Sequence, residues 1–591
     1  MGESPPTLVD LLRGASASAG TGIRLLDRRG DVAAWLPWPE VWRRSLLAAG
    51  RLASLGIQAG DRVALVFPTG AGFVDAFFGT ILAGAVPVPM YPPVRLGRLD
   101  EYDAQAARML DAVGARLVLA DRRVRRLLGR AIAGARPPFG CIALDDPAPG
   151  EATAGTAVAA PRPDDLALIQ FSSGTTRDPR PVALTHRALV AQTMALNGYW
   201  PDAGGVVHSG ASWLPLYHDM GLIGCLFPAV ERPGTVTLIP PEAFVASPAI
   251  WLRTIAAYRA TISPAPNFAY SLSTARIRDE ELEGVDLSSW RVALCGAETV
   301  VPGVLRAFAQ RFARWGFDER ALTPVYGLSE ASLAVTFSEP GRPFTSRRFD
   351  RRGLEAGASA QLDEAGRELV SLGRPIPGVE LRIADAAGRP LEDGKVGEVQ
   401  CRGPSMMAGY YGKPEATAEA WCDGWLRTGD LGFLHGGELH LVGRLRDILL
   451  LRGRNHDPSE VELAVDGVPG VRTGCCAAVT WLPEGADGER LLVLVEARRG
   501  VGSARFPAIA RACARAIVEQ TGLAADEVAV LAAGTLPRTS SGKLRRGDAL
   551  QQYLSGRLRP PARVTAPRLA LALARSAAAF LRSPRPAKGG R

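Results

Sequence analysis

Lysine is nearly missing from this chain. Of 69 basic residues only four are lysines, at positions 395, 413, 543 and 588, and the other 65 are arginines. A coding bias accounts for the imbalance, but it singles out each lysine, because a guanidinium cannot everywhere replace a compact ammonium. Cysteine is also sparse. Eight in 591 residues, with no CxxC pair, exclude a disulfide framework and a zinc signature. Long hydrophobic runs are missing too. The most apolar stretch, 71–90, carries Asp75, Pro87 and Pro89, so it reads as a buried helix feeding a strand rather than a membrane span. The opening MGESPPTLVDLLRG has no basic start followed by an apolar run, so no signal peptide is expected and the chain reads as cytoplasmic. Acidic residues are absent from 556–591, which hold nine basic ones; the rest of the chain balances at 60 against 60, so the net charge of +9 lies in the tail. A neutral body gives no reason to expect nucleic acid as a partner.

What is present reads as a folded enzyme-sized chain. Hydrophobic residues make up 47% and charged residues 22%, which excludes a mainly disordered chain, and 591 residues exceed one compact core. Up to about residue 340, short apolar runs alternate with helical patterns. RVALVF (62–67), AVPVPM (85–90), ARLVLA (115–120), DLALIQF (165–171), TVTLIP (235–240), RATISPAP (259–266) and RVALCG (291–296) predict strands separated by helices, hence parallel sheets covered on both faces. After a loop-like stretch from Gly341 the texture changes. VELRIAD (379–385), VGEVQCRG (396–403) and GGELHLVGR (436–444) predict antiparallel strands with glycine turns. The fold class is therefore α/β: a large N-terminal domain of stacked, mostly parallel sheets with a β-rich subdomain (1–443), a hinge (444–446), and a small mobile α+β domain (447–555). The tail, 556–591, is rich in proline, alanine and arginine. It reads as a disordered or surface segment with a short helix over 569–581, and weak contact with anionic lipid or an acidic protein is the functional alternative.

Four segments carry chemistry. FSSGTTRDPRPV (171–182) follows a buried strand with a small, hydroxyl-rich loop. Ser172, Ser173, Thr175 and Thr176 offer donors, and Gly174 lets backbone approach a ligand, a phosphate cradle without the Walker spacing. CGAET (295–299) offers a backbone edge to a flat base. VYGLSEA (325–331) puts an aromatic face, a hydroxyl and a carboxylate within one strand end. WLRTGDL (425–431) sets a carboxylate in a tight turn, able to accept two hydroxyl hydrogen bonds. Singly, each has a plain structural explanation: Tyr326 as core, Glu330 as a solvated helix start, Asp430 as a turn former. All four in this order are hard to obtain by chance.

With FSSGTTRDPRPVALTH (171–186), WLPLYHDMGLIG (213–224), CGAETV (295–300), PVYGLSEASLAV (324–335), WLRTGDLGFL (425–434), GRLRDILLLRGRNHDPSEVE (443–462) and LPRTSSGKLRR (536–546), the chain resembles the adenylate-forming superfamily from about residue 30 to 555. Within it, LPLYHDMGL, GRN and some 30 residues around 341–371 are similar to the fatty acyl-AMP ligases. In that branch an inserted segment is thought to hold the small domain away from the CoA-using arrangement. The resemblance implies that a medium- or long-chain fatty acid attacks the α-phosphorus of ATP and pyrophosphate leaves. The acyl group then passes to an acyl carrier protein acting in trans. A carboxylic acid with a pKa of about 4–5 is already ionised at neutral pH, so no general base is needed. What the reaction needs is positive charge placed in advance.

By the same resemblance, Lys543 supplies that charge from the C-terminal loop, and Glu330 holds Mg2+ on the phosphates. Ser172, Ser173, Gly174, Thr175 and Thr176 take the phosphates. Gly296, Ala297 and Glu298 line the adenine edge with Tyr326 stacked on it, and Gly327 and Ser329 complete the nucleotide set. Asp430 takes the ribose hydroxyls with Arg444 nearby, and Arg446 lies at the hinge. His218, beside Asp219, borders the acyl pocket and the adenine. The pocket draws on Trp213, Leu214, Leu222, Ile223 and Phe268. Three departures involve four positions: Arg177 stands where many superfamily members have glycine, although this branch often carries arginine, Arg180-Pro181 replaces Lys-Gly, and Asp457 stands where the branch often has tyrosine. Two other functions stay open. A fatty acyl-CoA synthetase would share the first step, and a non-catalytic acyl-nucleotide binder would fit the altered phosphate loop. A monomer is expected.

Overall fold

The computed structural model describes residues 5–93, 96–144, 158–172, 179–200, 208–447, 449–451, 454–483, 489–539, 543–562 and 564–582. Two mostly parallel sheets build the large N-terminal domain. One has nine strands, in the order Arg374–Pro375, Ala334–Phe337, Leu322–Gly327, Val292–Gly296, Ile262–Pro266, Ser209–Ser212, Thr235–Leu238, Gly22–Leu26, Val32–Pro37. Its centre, from Leu322–Gly327 to Gly22–Leu26, is parallel, and its edges are antiparallel. The other sheet is wholly parallel, in the order Val86–Met90, Arg62–Val66, Leu117–Ala120, Cys141–Ala143. The apolar runs read from the sequence become these strands because they are buried on both faces.

One expected parallel strand is not parallel. Leu166–Phe171 pairs antiparallel with Pro181–Thr185. The connection 172–180 is shorter than the roughly dozen residues a parallel crossover needs, so the chain turns back on itself. Against the strands Arg62–Val66 and Val86–Met90 the helix Ala71–Leu82 buries Phe73, Phe77 and Phe78. Further along, Trp251 packs edge-on against Tyr270 and Trp290, with ring centroids 5.6 and 5.1 Å away. Each such ring contributes about 1.5–3 kcal/mol on burial.

The β-rich subdomain is antiparallel, through Glu380–Ala384, Gly397–Arg402, Trp425–His435 and Glu438–Arg444. The loop-like stretch before it holds two paired strands, Ser346–Phe349 and Arg367–Val370. They are short and rich in arginine, so alternation alone does not reveal them. Phe349 anchors them by packing edge-on against Phe433 at 4.9 Å.

Past Arg444 a separate set of elements forms around Val471–Trp481, Arg490–Ala497 and Glu527–Leu531. Period-two alternation shows directly in the second of these strands. Leu491, Val493 and Val495 face the helices Pro458–Asp466 and Phe506–Thr521, while Leu492 and Leu494 pack with Leu536 and Ala549. The basic tail is more built than its composition suggests. It runs back to the N-terminal domain and ends in the helix Ala566–Arg582, whose Ser576 is buried. Leu569, Ala572, Leu573, Ser576 and Phe580 recur at helical spacing on its less exposed side, so an alanine-rich segment gains its structure from the surface beneath it. All eight cysteines are free. Among the described residues no helix is long and apolar enough to cross a membrane.

Candidate active site

The parallel strands Val292–Gly296 and Leu322–Gly327 end side by side. Gly296 permits this, since a Cβ there would lie 2.6 Å from Val325 Cγ2. The next residue, Ala297, takes φ +66, an uncommon conformation that turns the chain at the strand end. Beyond it, Glu298 Oε1 accepts the Phe268 N–H at 2.6 Å. On the neighbouring strand Tyr326 is buried and its hydroxyl donates to Asp430 Oδ2 at 2.7 Å. Asp430 Oδ1 accepts from Arg444 Nε at 2.8 Å, and the Asp430 N–H donates to Thr428 Oγ1 at 3.1 Å. Tyr326, Asp430 and Arg444, from three segments, thus form one line of contacts. Burial and the Asp430 charge push the Tyr326 phenol far above its usual value, and the same carboxylate holds Arg444 firmly protonated.

A second buried carboxylate meets Ser329, just past the end of the Tyr326 strand. Asp219 is buried and accepts the Met220 N–H at 2.7 Å; His218 Nδ1 lies 2.6 Å from its Oδ1, and the Ser329 hydroxyl donates to its Oδ2. Burial opposes its charge, yet His218 and Ser329 hold the carboxyl well below the usual range. Lys543, from the far C-terminal loop, is half-buried and within electrostatic range of Arg444, Asp219, Glu298 and Asp430. Burial, then Arg444, pulls its ammonium below the ordinary lysine value, and the three carboxylates oppose this. The loop is pinned locally. The Thr539 N–H donates to the Lys543 carbonyl at 2.8 Å, the Lys543 N–H to Thr539 Oγ1 at 3.0 Å, and the Arg545 N–H to the Pro537 carbonyl at 3.0 Å.

Comparison with known proteins agrees with this geometry. The AMP-binding enzyme family model matches residues 23–411. A protein of Caulobacter vibrioides named as a putative acyl-CoA synthetase is 35% identical, over 93% of this chain and 96% of its own. The long-chain-fatty-acid–AMP ligase FadD23 of Mycobacterium tuberculosis is 31% identical, over 90% and 94%. A solved structure from a study of fatty acyl-adenylate ligases of E. coli and L. pneumophila superposes with a TM-score of 0.86 at 33% identity, covering 93% of this chain and 98% of that one. The chain belongs to the fatty acyl-AMP ligases.

In this fatty acyl-AMP ligase Ser172 closes the hairpin, its N–H donating to the Arg180 carbonyl at 2.9 Å. Ser173, Gly174, Thr175, Thr176 and Arg177 lie outside the described residues. Gly327 ends the strand of Tyr326. Glu330 accepts the Tyr410 hydroxyl on Oε1 at 2.9 Å, which, after burial, helps push that phenol up to about 12. Arg180 lies over the Tyr410 ring at 5.0 Å and its Nη1 donates to the hydroxyl at 3.4 Å. The departure Arg180-Pro181 therefore puts a guanidinium beside Glu330. Tyr410 escaped the sequence analysis; its signal is the aromatic pair in GYYGK (409–413), on a strand edge that joins the 171–182 hairpin. Among the described residues no cluster of three or more His, Cys, Asp or Glu side chains could hold a metal. A single carboxylate together with phosphate oxygens is nonetheless the kind of hard ligand set that suits Mg2+.

Around the proposed acyl pocket, Trp213 stacks on Phe244 with centroids 3.9 Å apart and meets Phe268 edge-on at 5.9 Å. Leu214, Leu222 and Ile223 are buried in the adjoining core. Arg446 is exposed in the turn that follows Arg444. The sequence analysis also missed what the 341–371 segment touches. Arg367 pairs with Asp457 and, at 3.1 Å, with Glu460, and Arg351 also pairs with Glu460. Asp457, the third departure, is the N-cap of the helix Pro458–Asp466, accepting the Ser459 N–H at 2.9 Å. Arg351 and Arg367 thereby grip the first turn of the helix Pro458–Asp466.

Proposed function

We propose that this ligase uses ATP to turn a medium- or long-chain fatty acid into an acyl-adenylate and then passes the acyl group to the thiol of a carrier protein acting in trans. A carboxylate oxygen attacks the α-phosphorus, the bond to the β-phosphate bridging oxygen breaks, and pyrophosphate leaves. In the second step the carrier thiol attacks the acyl carbon and AMP departs. The observation that carries the reading is the convergence of Lys543 with Asp219, Asp430 and Arg444, since each comes from a different segment and no core-packing need explains an ammonium there.

In this reading Lys543 stabilises the charge that grows on the carboxylate and phosphate oxygens. Asp430 accepts the ribose hydroxyls, held in place by Arg444. Tyr326 and the Gly296–Ala297–Glu298 edge bound the adenine. Glu330, oriented by Tyr410, would hold Mg2+, whose charge neutralises the departing phosphates. His218 and Ser329 keep Asp219 ionised, which favours a protonated Lys543. Trp213, Phe268 and the adjoining leucines form the acyl wall, and each CH2 buried there adds about 0.8 kcal/mol.

The name of the Caulobacter vibrioides relative keeps CoA in view as the acceptor. The grip of Arg351 and Arg367 on Asp457 and Glu460 supports a carrier protein instead, because it restrains the start of the lid beside its hinge, where Arg367 also donates to the Val442 carbonyl at 2.9 Å. Exchange of labelled pyrophosphate into ATP, run across chain lengths, tests the first step; fatty-acid-independent or absent exchange would end the reading. Adding CoA or pantetheinylated carrier protein to the adenylate tests the second. Rapid acyl-CoA formation would reverse the choice of acceptor.

A further inference from the structure

Arg98, at the start of the helix Leu99–Ala112, is far from the cleft in sequence and has its side chain only 10% exposed. Its Nη2 donates to the Thr535 carbonyl at 2.9 Å and to the Arg559 carbonyl at 3.2 Å, while Nη1 meets both carboxylate oxygens of Glu101 at 3.1 Å. Thr535 is buried and stands at the base of the loop that carries Lys543. From there the Leu536 N–H donates to Glu496 Oε1 at 2.8 Å, and the Pro537 carbonyl accepts the Arg545 N–H at 3.0 Å. An unbroken run of bonds thus leads from the N-terminal domain to the backbone that aims the lysine. Arg559 begins the tail, which crosses Gly97 so closely that a Cβ there would lie 2.4 Å from the Ala562 carbonyl. The tail then docks its helix, the Gly129 N–H donating to Ser576 Oγ at 2.8 Å.

We propose that Arg98 is a positioning residue for adenylate formation: it latches the base of the Lys543 loop to the N-terminal domain, and the tail fastens the same junction. The inference rests on the assignment of Lys543 as the charge donor. A charged donor to two carbonyls favours the arrangement with Lys543 inside the cleft. Swinging the lid away for thiol attack requires the Thr535 bond to break. The latch therefore speeds the first half-reaction and restrains the second.

The test uses the full chain with Arg98→Ala, Arg98→Lys and Lys543→Ala. In Arg98→Ala, kcat for fatty-acid-dependent pyrophosphate exchange falls about ten-fold, the scale of losing charged hydrogen bonds, while KM for ATP and acid stays near wild type. Arg98→Lys, which can still reach a carbonyl, recovers part of the rate. Thiol transfer from supplied acyl-adenylate is undiminished or faster in both. Wild-type exchange in Arg98→Ala, or an equal loss in both half-reactions, would overturn the latch alone. Undiminished exchange in Lys543→Ala would overturn the lysine assignment and the latch with it.

Discussion

At the scale of single residues, the scarcity of lysine turns out to be informative. Lys543 is half-buried among three carboxylates and an arginine, a place where a broader guanidinium would crowd the reacting oxygens. Lys543→Ala is expected to lower fatty-acid-dependent pyrophosphate exchange by about 100-fold, read as kcat with little change in ATP affinity. His186 makes a prediction of a different kind. Its Nδ1 accepts the Leu8 N–H at 3.2 Å, and burial pushes its imidazole down to about 4. The folded state holds it neutral, so its contribution is complete above the unfolded value of about 6.5 and is lost as pH falls from there towards 4, roughly 3 kcal/mol in all. The urea midpoint of His186→Asn should change less between pH 7.5 and pH 5 than that of the wild type. Of the expected site residues, the strand ends that carry several of them were legible, because a strand followed by Gly or Ser is marked by its pattern. Tyr410, Arg98 and Arg367 were not. Their partners lie 80 or more positions away, beyond any periodicity.

At the scale of elements, the strands buried on both faces were read correctly from apolar runs. The errors fell where other forces decide. Leu166–Phe171 was expected in a parallel sheet but turns back, since a short hydroxyl-rich loop leaves no room for a crossover. The paired strands at 346–349 and 367–370 looked like loop because their outward faces carry charge. Their arginines now make a claim about acceptor choice. Arg367→Ala should release Asp457 and leave Glu460 held by Arg351 alone, keeping the fatty acyl-adenylate rate within about two-fold while acyl-CoA formation rises from the wild-type level, as measured by thioester yield. The tail helix makes its own. A Cβ on Gly129 would sit 2.0 Å from the Ser576 carbonyl, so Gly129→Val should lift that helix. Tryptic cleavage within 556–582 should then quicken, and pyrophosphate exchange should fall with the same KM pattern as in Arg98→Ala.

At the scale of the whole molecule, the described residues tie the small C-terminal unit to the body in the turn after Arg444, through the arginines of the inserted segment, between the Thr299 and Ser459 hydroxyls at 3.4 Å, and through Arg98 with the tail. In the mechanism proposed above the turn permits rotation and the other ties oppose it, so ties far from the reacting atoms would set the balance between the two half-reactions. The general plan of a large α/β body with a smaller α+β unit was visible in the change of strand texture near residue 341 and again near 444. The ties made by Arg98, Arg351 and Arg367 were not visible, because they join segments that share no pattern. The bond between Gly129 and Ser576 spans 447 positions, with one partner in the first quarter of the chain and the other in its last few turns. During synthesis the body and the lid can each fold while the ribosome is still extending the polypeptide. The bond to Ser576 forms only after the tail helix has emerged, whereas the ties of Arg98, Arg351 and Arg367 to Thr535, Asp457 and Glu460 need no part of it, so this helix is a fastening added after the others.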